Sequence, residues 1–209
     1  MARYAIVLPQ KELIKPAQRI AKGLGLDVAL NQFLSMSASE EELVRVIEEC
    51  KKRKVDIIIA RGRQANTIKE MTDLTVVALQ LTGQEIAALL KQAKNMVPEI
   101  ERPKIGLVIV PNLIGDVQLL GDVLDIDFHT YFAYSKKETE YAMEKAVLEG
   151  MDVILGGEFV NAYCRRRGKR AVFLFGTEDS VYTSLLHARD IGLAIDTEKK
   201  NSAHFETLL

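Results

Sequence analysis

The sequence predicts an α/β protein of two tandem lobes, each a four-stranded parallel sheet with helices on both faces. Three observations carry that prediction. Eight short, β-branched apolar runs punctuate the 209 residues. Most are continuous rather than alternating, as strands buried on both faces require. Longer stretches with apolar residues at helical spacing separate them, and regular strand–helix alternation means parallel sheets with right-handed crossovers. The two halves also repeat. Residues 55–60 lie 96 positions before 151–156, 76–79 lie the same distance before 172–175, and the first strand of each half ends in proline, Pro9 or Pro111. That repetition predicts a duplicated βαβαβαβα unit. A closed eight-stranded barrel is disfavoured, because it usually needs about 250 residues.

In order, a strand at 4–8 leads to a helix at 12–23. Leu13, Ile14, Ala17, Ile20 and Ala21 form its apolar stripe, glycine ends it, and Pro16 marks its first turn. A strand at 26–30 precedes a helix at 40–53. Ser39 caps that helix, Glu42 completes a capping box, and Leu43, Val46 and Ile47 form the buried stripe. Strands at 56–60 and 75–79 are followed by helices at 64–71 and 84–96. The second half reads as strands at 105–110, 126–132, 152–155 and 171–175, with helices at 113–124, 136–149, 159–166 and 179–195. Residues 97–103 hold two prolines and two glutamates and read as a linker. The expected organisation is a first lobe at 1–96, this linker, a second lobe at 104–195, and a lead-out segment at 196–209.

Composition excludes several functions. Lys+Arg is 28 against Asp+Glu 29, and tryptophan is absent. Direct nucleic-acid binding, which needs a basic stripe or stacking platforms, is therefore not expected. Cys50 and Cys164 stand outside any CxxC pair, which fits a reduced, cytoplasmic setting. No signal peptide or membrane span is read. There is no GxxxxGK, no GxGxxG following a strand, and no GxSxG, and His129, His187 and His204 lack metal-ligand spacing. No cofactor and no metal are expected, and no catalytic residue is assigned. Cys164 adjoins Arg165, Arg166, Arg167, Lys169 and Arg170. Cations lower a thiol pKa, but positive charge at a helix's negative pole explains the cluster more simply.

In open parallel sheets, ligands bind at the carboxyl ends of strands. Twelve residues at those ends are candidate ligand contacts: Arg61, Gly62, Gln80, Thr82, Pro111, Asn112, Gly156, Gly157, Glu158, Gly176, Thr177 and Ser180. The glycines let backbone N–H groups approach a ligand, helix N-termini favour anions, and Arg61 offers a planar fork to a carboxylate. The amides and hydroxyls supply hydrogen bonds. Each of the small residues also fits an ordinary turn or cap.

The same loops carry a family resemblance. In order stand Asp56-Ile57-Ile58-Ile59-Ala60-Arg61-Gly62, Gln80-Leu81-Thr82-Gly83, Lys104-Ile105-Gly106, Pro111-Asn112, Gly150-Met151-Asp152-Val153-Ile154-Leu155-Gly156-Gly157 and Gly176-Thr177-Glu178-Asp179-Ser180. The chain thereby resembles, over about residues 4–195, the N-terminal sensor domain of the propionate catabolism activator PrpR and related sigma-54-dependent regulators. The resemblance implies a chelatase-like pair of three-layer α/β/α domains facing a cleft, and a small organic acid such as 2-methylcitrate as effector. It further implies an AAA+ ATPase and a DNA-binding domain that follow in full-length members and reach sigma-54 RNA polymerase. Effector binding in the cleft would shift the population toward a closed form and so regulate the ATPase. A homo-oligomer is left open. Two rival readings stand beside it: a small-acid isomerase or lyase that uses the same cleft with Glu158, Glu178 or Asp179 as acid–base groups, and a pure oligomerisation module that would leave the cleft polar but never occupied.

Overall fold

In the computed structural model, which describes residues 1–207, strands and helices alternate in the expected order. The first strands and helices are β1 (Arg3–Leu8), α1 (Ile14–Gly23, entered through a 3-10 turn at Lys11–Leu13), β2 (Asp27–Phe33), α2 (Glu40–Lys52), β3 (Ile57–Arg61), α3 (Gly62–Met71), β4 (Thr75–Leu79) and α4 (Gly83–Asn95). The rest are β5 (Lys104–Ile109), α5 (Leu120–Val123), β6 (Asp127–Phe132), α6 (Lys136–Leu148), β7 (Val153–Gly156), α7 (Glu158–Arg166), β8 (Arg170–Phe173) and α8 (Glu178–Thr207). They build two four-stranded sheets of identical topology, β2-β1-β3-β4 and β6-β5-β7-β8, with every pairing parallel.

The strand pattern explains the layering. Successive side chains point to opposite faces. Tyr4, Ile6, Leu8, Ile57 and Ile59 therefore join α1 and α8 in one core, while Ala5, Val7, Ile58 and Ala60 join α2 and α3 in another. In the second sheet Ile105, Leu107, Val153 and Leu155 pack under α4, and Val108 and Ile154 pack under α6 and α7. Capping fixes the helix starts. Ser39 with Glu42 and Thr82 with Glu85 form capping boxes, and the Ser135 side chain accepts from the Glu138 N–H.

The duplication is visible bond by bond. The Arg3 N–H donates to Asp56 Oδ2, and the Lys104 N–H to Asp152 Oδ2, both at 2.8 Å. The Asp56 N–H returns to the Arg3 carbonyl and the Asp152 N–H to the Lys104 carbonyl, again at 2.8 Å. The Leu34 N–H donates to the Leu8 carbonyl as the Ala133 N–H does to the Ile109 carbonyl, both at 3.0 Å.

The domain boundaries differ from those expected. One compact unit is residues 1–79 with 177–209, and the other is residues 80–176. Unit 1 is therefore discontinuous. The crossover falls after β4 and again before α8, not at 97–103. The reason lies in which sheet each helix covers. Ile86, Leu89, Leu90 and Ala93 of α4 bury against the second sheet, and Val181, Leu185 and Ala188 of α8 bury against the first. Residues 97–103 are an internal α4–β5 connection, with Val97 fully buried in the unit 2 core.

Two further expectations change. The helix at 113–124 is instead a 3-10 turn at Pro111–Leu113, an extended Ile114 and the single turn α5. Asp116 Oδ1 takes the Gln118 N–H at 3.1 Å, a local bond that competes with helix. The apolar spacing survives as packing, since Leu113, Ile114, Val117, Leu120 and Leu124 all meet the core. The lead-out segment at 196–209 is no separate element. α8 runs unbroken to Thr207, and Lys199 Nζ bonds Asp56 Oδ1 at 2.6 Å. Positions 208–209 lie outside the described residues.

Candidate functional site

The candidate residues follow the carboxyl ends of β3, β4, β5, β7 and β8, and those after β4 and β8 fall where the chain passes from one unit to the other. In unit 1, Arg61 is the last residue of β3 and the N-cap of α3. It is only 7% exposed, and its Nη1 donates to Gln10 Oε1, beyond the end of β1. Gly62 follows at φ +54°, a left-handed conformation that a side chain would strain. It turns the chain from strand into helix while leaving Arg61 at the strand end. One helical turn on, Gln64 is buried to the same degree as Arg61. Its Nε2 donates to the Leu34 carbonyl at 3.3 Å and the Ser35 carbonyl at 2.5 Å, tying α3 to the loop after β2. Its Oε1 is buried and has no hydrogen-bond partner.

The other unit 1 candidates act locally. Ser180 is fully buried, and its hydroxyl donates to the Thr177 carbonyl at 3.0 Å. Thr177 Oγ1 accepts the Asp179 N–H at 3.2 Å. Both side chains stabilise the start of α8.

In unit 2, the Leu81 N–H donates to the Leu113 carbonyl at 2.7 Å, which joins the Gln80–Thr82 corner to the Pro111–Asn112 turn. Gln80 is exposed, while Thr82, Pro111 and Asn112 are half-buried. The Thr82 hydroxyl accepts the Glu85 N–H as a cap. Gly156 ends β7, and its carbonyl takes the Leu174 N–H at 2.9 Å and Asn161 Nδ2 at 2.8 Å. A Cβ at Gly156 would lie 2.5 Å from the Val160 side chain, so close helix–strand packing excludes one. Gly157 caps α7, and Glu158 is exposed in its first turn. Gly176 is buried at the end of the unit.

The sequence reading missed Gln10 and Gln64. A signal existed for Gln10, which follows Pro9 as Asn112 follows Pro111. Gln64 showed none, because a glutamine at a helix start reads as solvated.

The thiols and the acidic candidates sit in contrasting surroundings. Cys164 is fully buried, and burial raises its pKa against the weaker opposing effect of Lys169. The basic neighbours therefore do not activate it. Burial pushes the Cys50 thiol up to about 11. Glu158, Glu178 and Asp179 are all exposed, and Glu178 is paired with Arg19. Among the described residues no three His, Cys, Asp or Glu side chains gather to hold a metal, and no helix is long and apolar enough to cross a membrane.

Two parallel sheets of one topology, each flanked by helices, define a two-unit α/β class of domain. Solved structures share this fold. An NtrC family transcriptional regulator from Clostridium acetobutylicum superposes with a TM-score of 0.69 at 15% identity, covering 92% of this chain and 97% of that one. An ABC domain from Streptococcus pneumonia in complex with L-Trp gives 0.50 at 9% identity over 91% and 84%. At such identities these likenesses concern fold alone. No curated protein matches the chain in sequence. The family does match: over residues 28–198 the chain belongs to the N-terminal domain family of the propionate catabolism activators. It is thus a sensor domain of a transcriptional activator.

Proposed function

We propose that this sensor domain binds a small organic acid at the carboxyl ends of its strands and thereby regulates an AAA+ ATPase in the full-length activator. The observation that carries the proposal is the buried Arg61, bonded to Gln10 where β1 and β3 end. A guanidinium held at that depth by a side-chain amide has a fixed orientation, and a planar fork suits a carboxylate. Family membership supports the regulatory role. Gly62, Gln80, Thr82, Pro111, Asn112, Gly156, Gly157, Glu158, Gly176 and Thr177 remain candidate contacts, each after the strand it follows in its own part of the chain. Sigma-54 RNA polymerase would be reached only through the following domains.

A thermal-shift screen with small carboxylic acids tests the binding step. A ligand at about 100 times its dissociation constant stabilises by about 2.7 kcal/mol. With the best ligand, Arg61→Ala should lose about 1.5–3 kcal/mol, a tenfold to hundredfold weaker dissociation constant by calorimetry. An unchanged constant with a lowered melting temperature would assign Arg61 to structure alone. Turnover of the acid, rather than binding, would favour an isomerase or lyase.

A further inference from the structure

We propose that unit 1 holds a subsite for an aromatic hydroxy acid, with one carboxylate, one hydroxyl and one ring, rather than for a compact tricarboxylate. The inference deepens the reading of an organic-acid effector and rests on it.

The ring is called for by Phe33. It is the last residue of β2, paired in register with Leu8, and it is 39% exposed. The matched position in the second sheet, paired with Ile109, is Phe132, which is 54% exposed. Single exposed apolar residues are common on surfaces. The same exposed residue type at the same register position of both repeats is a patterned feature. Elsewhere in β6 the aromatics are buried, Phe128 at 5% and Tyr131 at 7%.

The carboxylate is called for by Lys11, whose Nζ lies 4.9 Å from the centre of the Phe33 ring. The aromatic face attracts that cation and holds it beside an apolar surface. A ligand whose ring packs on Phe33 brings its own charge to Lys11 and, one strand over, to Arg61. The hydroxyl is called for by Gln64. Its Oε1 is a buried acceptor without a partner, while its Nε2 is fixed on Leu34 and Ser35, the two residues after Phe33. A buried acceptor left unmet is costly, and a ligand O–H meets it.

A compact tricarboxylate asks for more cations than Lys11 and Arg61, the two that this subsite supplies.

The chain has no tryptophan, so Phe33→Trp installs a single fluorescent reporter. Its emission should change saturably with 3-phenyllactate and stay flat with citrate. The unaltered chain should show a higher melting temperature with 3-phenyllactate, and Lys11→Met and Phe33→Leu should each weaken binding at least tenfold. Binding of citrate without 3-phenyllactate would overturn this inference and leave the organic-acid reading intact. Equal binding of 2-phenylethanol, which lacks the carboxylate, would overturn the acid reading itself. No response to any of the three compounds in the unaltered chain would overturn the subsite.

Discussion

At the end of its third strand unit 1 presents Ala60, Arg61 and Gly62, whereas the matched positions of unit 2 are Gly156, Gly157 and Glu158. The backbone bonds beneath these residues are the same in both units, with Asp56 and Asp152 clasping the first strand in identical fashion. The helices that follow differ. α3 carries the buried Gln64 where α7 carries Val160, whose side chain packs against Gly156. Unit 1 carries a buried cation and the buried Gln64 amide at its strand end, where unit 2 has an apolar contact between Gly156 and Val160. A duplicated scaffold thus holds its topology through backbone geometry and divides its chemistry through a few side chains.

The largest effect should come from erasing the difference at the third strand. Gly156→Ala should destabilise the chain by about 1–3 kcal/mol in urea unfolding, the usual consequence of overpacking. Adding Val160→Ala should recover much of that loss. A neutral Gly156→Ala would show that the α7 contact yields easily and would weaken the comparison.

Next come the clasping aspartates. Asp56→Ala and Asp152→Ala should each lose about 1.5–3 kcal/mol, the value of a hydrogen bond to a charged group. Asp56 should lose more, because it also pairs with Lys199; exposed pairs add up to about 1 kcal/mol. The pKa of Asp56 is lowered. Burial pushes it up, and the Lys199 hydrogen bond, the Arg3 N–H and the Lys199 charge outweigh that. Stability from a depressed carboxyl is fully present above the ordinary value near 3.9 and disappears as pH falls through the folded value. The gap between the unaltered chain and Asp56→Ala should therefore hold from pH 7 to about 5 and narrow below about 4. A gap independent of pH would remove the charge from the account.

A smaller effect concerns the turn before each third strand. Lys54 has φ +55° where the other unit has Gly150 at φ +75°. The left-handed region costs an ordinary residue about 1–2 kcal/mol. Lys54→Gly should raise the melting temperature by a few degrees and Gly150→Ala should lower it by a similar amount, at about 2–4 °C per kcal/mol.

The smallest readout is chemical. Both thiols are buried and pushed up by burial, so neither Cys50 nor Cys164 should react with a thiol reagent at pH 7 until the chain unfolds. Fast labelling of Cys164 in the folded state would restore an activating role to its basic neighbours.

Strand positions and topology were legible because fully buried strands write themselves as continuous runs such as Ile57-Ile58-Ile59-Ala60. The partition of the chain was not. The stripes of α4 and α8 say that each helix buries a face, and nothing in Ile86, Leu89 and Leu90 says against which sheet. The loop at 113–124 misled because its apolar spacing serves packing without a helix. Arg61 stood out through its type and its place at a strand end. Gln64 did not, since only tertiary structure reveals that its amide is buried.

The discontinuity of unit 1 has a consequence for synthesis. Val77 and Leu79 leave the ribosome long before Val181 and Leu185, which cover them. Unit 2, at Gln80–Gly176, is contiguous and can complete its core first. At about 5–20 residues per second, the apolar face of the first sheet waits roughly 5–20 seconds for α8. During that interval the nascent chain carries an open sheet face beside a finished unit, so the order of folding is the reverse of the order in which the two sheets begin.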